Sequence, residues 1–204
     1  MTQVAIVVTD TERATRAIAS MREGYEGPID LFVIPPPSSR DQLSIESLRT
    51  LGVSMTTTGL ERIHRVSASD AHLQALDDGD DDLMIFADDV VVMVDWKGAL
   101  DELIDQAQLD LGRAPLVALS AGARPDLLVR DSNVPYVRLE KPVVSLDVHG
   151  LFVPAEHREA LAAMLIFAAP GEAFGDVVRR YVSETEGAEL VVTMPEIILV
   201  MMTT

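Results

Sequence analysis

The stretch from Asp82 to Trp96, DLMIFADDVVVMVDW, constrains this chain more than any other. Leu83 to Phe86 is an apolar run, Asp88 and Asp89 are adjacent carboxylates, and a second apolar run follows at once. Runs of about four to eight apolar residues bounded by polar ones read as strands buried on both faces, the pattern of parallel sheets covered by helices. The two acids fall at the carboxyl end of such a strand, where open α/β sheets bind ligands. Side-by-side carboxylates are costly to bury without a cation or hydrogen-bond donors. The pair therefore marks either a ligand site or a strand end that faces water.

The flanking sequence supplies the matching units. Val4 to Val8 is a compact strand, and Asp10 or Thr11 can cap a helix from about Glu12 to Met21. Gly24 to Pro28 is a turn, and Ile29 to Ile34 is a second strand closed by Pro35, Pro36 and Pro37. Strand, helix, strand at this spacing is a βαβ unit. Ile45 to Leu51 reads as a short helix and Val53 to Thr58 as a polar edge strand. RVSASDAHLQAL, Arg65 to Leu76, reads as a helix capped by Ser67 or Ser69. Asp77 to Asp82 reads as a solvated acidic turn; it lacks the alternating ligands and terminal Glu of an EF-hand loop.

Downstream, Trp96 to Gln106 has a helical period, Ala114 to Leu119 and Val134 to Leu139 are strands, and Gly150 to Val153 is another. Pro154 leads into a helix through Ile166, Gly175 to Val182 is a helix, and Glu189 to Thr193 is a strand. The terminal IILVMM is apolar and reads as a core strand rather than a dimer edge. The alternation predicts one α/β domain with a mostly parallel central sheet flanked by helices.

Composition narrows the partners. A net charge of −17 disfavours electrostatic capture of nucleic acid or an anionic membrane by the protein as a whole. The absence of cysteine removes disulfide and thiolate chemistry. The N-terminus lacks a basic region and a cleavage site, and no apolar run reaches the ~18 residues of a membrane span. The expectation is a soluble, cytoplasmic protein.

SASDAHLQALDDGDDDLMIFADDVVVM resembles the central segment of GT-A glycosyltransferases, the nucleotide-diphospho-sugar transferase fold, in which a helix precedes a strand ending in a DxD or EDD motif. DVHGLFVPAEHREALAAML is similar to the family's acceptor-side strand and helix. GEAFGDVVRRYVSETEGAELVVTMPEII resembles its late segment, where an acid lies on a helix before a glycine, a strand and a proline; small members of this fold occur among phage enzymes that glycosylate modified DNA bases and among bacterial enzymes that build surface glycans. The motifs follow the family's order over most of the chain.

The resemblance implies a Rossmann-like GT-A domain whose residues 1–120 bind the nucleotide sugar and whose residues 121–204 form the acceptor side. It implies transfer of a sugar from a nucleotide-diphosphate donor to a hydroxyl of a glycan or a hydroxymethylated DNA base. Mn2+ or Mg2+ would sit on Asp89 with Asp88 beside it, since hard cations take carboxylate and phosphate oxygens. Asp88 would also touch the ribose or a metal-bound water. Thr9 and Asp10, after the first strand, would meet the nucleotide, as would Arg65 and Asp70. Asp176 falls where inverting members keep the general base; as a surface acid it would instead pair with Arg179 or Arg180. Two departures reduce the ligands for a metal: the motif opens with Ala87 rather than an acid, and no histidine follows Pro195. His149 and His72 are the histidines that could substitute. A glycan acceptor would use aromatic platforms, for which Trp96, Tyr136, Phe152 and Tyr181 are the candidates.

A second resemblance competes. DLMIFADD, LVALSAG and RLEKPVV are similar to the phosphoryl-accepting half of a receiver domain. Asp88 would be phosphorylated, Ser120 would be the switch hydroxyl and Lys141 the phosphate-binding lysine. A third reading is an α/β binding protein without catalysis, in which the acids are structural.

Overall fold

The computed structural model describes residues 2–34, 63–65, 70–120, 135–141, 143, 146, 148–193 and 197–201. The expected helix at Ile45 to Leu51 and strand at Val53 to Thr58 lie outside them. The described elements are β1 (Gln3–Val8), α1 (Thr11–Arg22), β2 (Ile29–Val33), β3 (Ile63–Arg65), α2 (Ala71–Asp77), β4 (Leu83–Ala87), β5 (Val90–Val92) and α3 (Trp96–Leu111). They continue with β6 (Leu116–Ala118), β7 (Tyr136–Arg138), β8 (Gly150–Val153), α4 (Ala155–Ile166), α5 (Phe174–Glu184), β9 (Leu190–Thr193) and β10 (Ile198–Val200).

Eight of these strands form one sheet in the order β3-β2-β1-β4-β8-β6-β9-β7. β3, β2, β1 and β4 run parallel, as do β6 and β9. β8 is antiparallel to both its neighbours, and β7 is antiparallel to β9. The sheet is therefore mostly parallel, as the apolar runs predict. Helices cover both faces because alternate strand residues point to opposite sides. Val4, Ile6, Met84 and Phe86 pack with α1 and α3, while Ala5, Val7, Leu83 and Ile85 pack with α2, α4 and α5. A two-stranded ribbon of β5 and β10 lies outside the main sheet. The C-terminal run is core only in part: Ile198 is buried, whereas Leu199 is 64% exposed. Among the described residues no helix is long and apolar enough to cross a membrane.

Several boundaries differ from expectation. Arg65 belongs to β3, paired with Val33 of β2, so the helix expected from Arg65 starts only at Ala71 with Asp70 at its N-cap. Backbone pairing with the parallel neighbour overrides the local helical pattern. α3 runs past Gln106 to Leu111 because Ala107 is buried, and it stops at Gly112 in the left-handed region, φ 72°.

The acidic turn at 77–82 is also more than a solvated loop. Arg158 of α4 is buried at 3% exposure and donates from Nε to the Leu76 carbonyl (2.9 Å) and from Nη2 to the Ala75 carbonyl (2.9 Å). Its Nη1 reaches the Asp81 carbonyl (2.6 Å) and Gln3 Oε1 (3.1 Å). Burial pulls the Arg158 pKa down, and the charges of Asp78, Asp80, Asp81 and Asp77 oppose that. Asp82 in turn accepts from the Ala155 N–H at the start of α4 (2.9 Å).

Candidate active site

The carboxyl ends of β1 and β4 are adjacent, and the chain there folds around Asp88. Asp88 is buried at 3% exposure. Its Oδ2 accepts from the backbone N–H of Thr9, from that of Asp10 (2.6 Å) and from the Thr9 hydroxyl (2.9 Å), while Oδ1 lies 3.2 Å from the same hydroxyl. The side chain thus ties the end of β4 to the turn between β1 and α1. Asp10 continues that turn as the N-cap of α1, its Oδ1 accepting from Glu12 N (2.9 Å) and Arg13 N (3.0 Å).

Asp89 points elsewhere. Its Oδ1 lies 3.0 Å from Nδ1 of His149, and both side chains are 19% exposed. The antiparallel β8 brings His149 there: Gly150 pairs with Phe86, and the His149 carbonyl accepts from Ala87 N (2.8 Å). Burial pushes the Asp89 pKa up, but the hydrogen bond and charge of His149, with a smaller share from Arg13, hold it below the usual carboxylate value.

These groups open onto a cavity of about 340 Å³ lined by Thr9, Arg13, Asp88 and Asp89 on its polar side. Its apolar side includes Val7, Ile34, Leu146 and Phe174. The ring of His72, in the first turn of α2, stacks on Phe174 at 4.1 Å between centroids and 19° between planes. Burial lowers the His72 pKa to about 4, so this imidazole is neutral near pH 7. Gly175 follows Phe174 and also lines the cavity. A Cβ there would collide with the Leu146 carbonyl oxygen, so glycine lets the start of α5 form this wall.

The structure therefore gathers Thr9, Asp88 and Asp89 at one cavity. Asp10 adjoins it through its backbone. Asp70 holds the N-cap position of α2 without a capping bond from its own side chain. Arg65 ends β3, and its side chain lies outside what is described. Asp176 sits one residue beyond Gly175 in the first turn of α5, 52% exposed and 3.5 Å from Arg179 Nε. Arg13 and Phe174 escaped the sequence reading because nothing in their local pattern separates them from ordinary helix residues. The proposed aromatic platforms are corrected: Trp96, Tyr136, Phe152 and Tyr181 are all buried, at 7% exposure or less, and pack in the core.

The receiver alternative is corrected as well. β7 is antiparallel and stands four strands from β4, about 19 Å at the usual strand spacing. Lys141 follows β7 at the opposite end of the sheet from Asp88, and its Nζ donates to the Thr185 carbonyl (3.2 Å). The three groups of a phosphoryl site do not meet.

The acidic motif implies Mn2+ or Mg2+, and the donor set can be tested against it. Asp88 is engaged by Thr9 and Asp10, and one oxygen of Asp89 by His149. Among the described residues no three His, Cys, Asp or Glu side chains gather where they could hold a metal ion. His72 stacks on Phe174 instead of approaching the acids. Among the described residues these side chains do not by themselves form a divalent-cation site.

No family model and no curated protein matches this sequence. Solved structures do resemble it. A UDP-glucose pyrophosphorylase from Acinetobacter baumanii aligns with a TM-score of 0.54 and 14% identity, over 95% of this chain and 86% of that one. TarS 1-349 of S. aureus aligns with a TM-score of 0.62 and 12% identity, over 97% of this chain and 59% of that one. These alignments show that the fold is shared. The glycosyltransferase GlyE of Streptococcus pneumoniae TIGR4 aligns at a TM-score of 0.53 and 16% identity, over 93% of this chain and 45% of its own. The chain thus spans about half the length of these two proteins and most of the pyrophosphorylase.

Proposed function

We propose that this protein is a glycosyltransferase that uses a nucleotide-diphosphate sugar. The observation that carries the reading is the cavity at the carboxyl ends of β1 and β4, walled by the start of α5, on a sheet shared with sugar-nucleotide enzymes. Open α/β sheets bind their ligands at this position. Residues 1–120 contribute Thr9, Asp10, Arg65, Asp70 and Asp88 to the donor side. Asp88 acts there by fixing the backbone of Thr9 and Asp10. Residues 121–204 contribute the acceptor side through Leu146, Phe174 and Gly175.

In the reaction the bond from the anomeric carbon to the diphosphate oxygen breaks, and a bond to the acceptor oxygen forms. The acceptor proton passes to Asp176, the proposed base, which must turn from Arg179 to receive it. The acceptor is a hydroxyl on a glycan or on a hydroxymethylated DNA base.

The first test is a thermal-shift panel of UDP, GDP, CDP and TDP sugars. Ligand at a hundredfold excess over its dissociation constant stabilises the fold by about 2.7 kcal/mol. The product then decides the chemistry: release of nucleoside diphosphate supports glycosyl transfer. Formation of nucleoside triphosphate when pyrophosphate is added would make the protein a nucleotidyltransferase instead, the activity that the length match to a pyrophosphorylase favours. No shift with any donor sinks both.

A further inference from the structure

The nucleotide-sugar reading, on which this inference rests, requires something to meet the negative charge of a diphosphate, which grows as the sugar leaves. In open α/β folds the N–H groups at the start of a helix commonly serve. In this protein four of those around the start of α1 are engaged. The N–H groups of Thr9 and Asp10 donate to Asp88, and those of Glu12 and Arg13 donate to Asp10. The acidic residues cannot supply attraction themselves, and among the described residues they do not by themselves form a cation site.

One group remains. Arg13 is the sole arginine or lysine among the described residues that line the cavity. It lies close enough to Asp89 for its charge to act on that carboxylate. It forms no ion pair and no side-chain hydrogen bond among the described residues. In that it stands apart. Arg16 pairs with Glu12, Lys97 with Asp101, Arg138 with Glu189, Arg179 with Asp176 and Arg180 with Glu172. Arg22, Arg113, Lys141 and Arg158 donate to backbone carbonyls. In a chain with 33 acids against 16 basic residues, a guanidinium with no partner among the described residues, beside two carboxylates, is unusual. Its planar fork matches two phosphate oxygens at once, which an ammonium group does not.

We propose that Arg13 binds the diphosphate of the donor, and that this site takes a nucleoside diphosphate without a divalent cation. Asp89 and His149 then stand as a hydrogen-bonded pair beside the phosphates rather than as metal ligands.

The test is calorimetric titration of UDP, GDP, CDP and TDP, and of the corresponding nucleosides, into wild-type protein and Arg13→Ala, Arg13→Lys and Arg13→Gln. Each titration is run in EDTA and again with manganese. A diphosphate should bind in EDTA, and manganese should not tighten it. Arg13→Ala should weaken it by about tenfold or more, the loss expected for charge-assisted bonds. Arg13→Lys should recover only part of that, and nucleoside affinity should not change. Equal melting temperatures of the unliganded proteins will show that the variants fold. Binding that requires manganese, or an Arg13→Ala protein that binds diphosphate as wild type does, overturns the inference and leaves the nucleotide-sugar reading standing. Failure of every nucleotide under both conditions overturns that reading, and this inference with it.

Discussion

Replacing Asp88 with alanine should destabilise the unliganded protein more than any other change among the cavity acids. The side chain is 3% exposed and is the acceptor for two backbone N–H groups and one hydroxyl. The hydroxyl can turn to water, so the two N–H bonds decide the magnitude. A hydrogen bond to a charged group contributes about 1.5–3 kcal/mol. Thr9 and Asp10 are exposed at the turn, so water can partly replace the lost acceptor. The lower end therefore applies, and the total is about 3 kcal/mol. For a chain of this length that lowers the melting temperature by about 6–12 °C. Asp88→Asn keeps an acceptor oxygen and should lose roughly 1 kcal/mol. Asp89→Ala removes one bond, to His149, between side chains that water reaches, and should also lose about 1 kcal/mol. The assay is urea unfolding of the three variants at pH 7 in EDTA. A pair of acids held only for a cation would behave in the opposite way, because removing one of two adjacent like charges relieves repulsion in the empty site. An Asp88→Ala protein as stable as wild type, or more so, would refute the assignment of Asp88 as the clamp of the β1–α1 turn.

Two further outcomes follow from the same kind of accounting. Arg158→Met should lose about 3 kcal/mol, because it strips the Ala75 and Leu76 carbonyls at the end of α2 of their donor and frees the acidic turn; hydrogen exchange at residues 77–82 should accelerate with it. The His72 pKa lies at about 4 in the folded protein, below its ordinary value of 6.5. The unfolded chain therefore takes the proton first as pH falls, and stability declines from about pH 6.5 to about 4 and then levels. The interval from pH 6.5 to 5 spans about 1.5 units, so the loss across it is at most about 2 kcal/mol. Stability curves of wild type and His72→Phe should separate over that window and run parallel above it; identical slopes would exclude the buried neutral imidazole.

Much of the architecture is legible along the chain because it is set by local periodicity. The apolar runs at Val4 to Val8, Ile29 to Val33 and Leu83 to Phe86 can be buried on both faces only in a sheet covered by helices. Asp10 as a cap of α1 and Pro154 as the lead into α4 are likewise local signals. Strand direction is not local. Gly150 to Val153 reads as one more apolar strand, yet it enters antiparallel between β4 and β6, and that placement brings His149 to Asp89. The ribbon of β5 and β10 joins segments far apart in the chain, so the terminal run could not be assigned a partner in advance.

The sequence by itself determined the α/β class, the order of most strands and helices, and the carboxyl end of β4 as the place for a pair of acids. Only the tertiary structure decided what each acid does. Asp88 and Asp89 are chemically the same and adjacent in sequence. The turn after β4 sends one inward to the N–H groups of Thr9 and Asp10 and the other to His149. The same holds for the arginines: Arg158 is buried beneath an acidic turn while Arg13 lines the cavity. A side chain's charge is fixed by its residue type. Its work depends on which donors and acceptors long-range packing brings within about 3 Å.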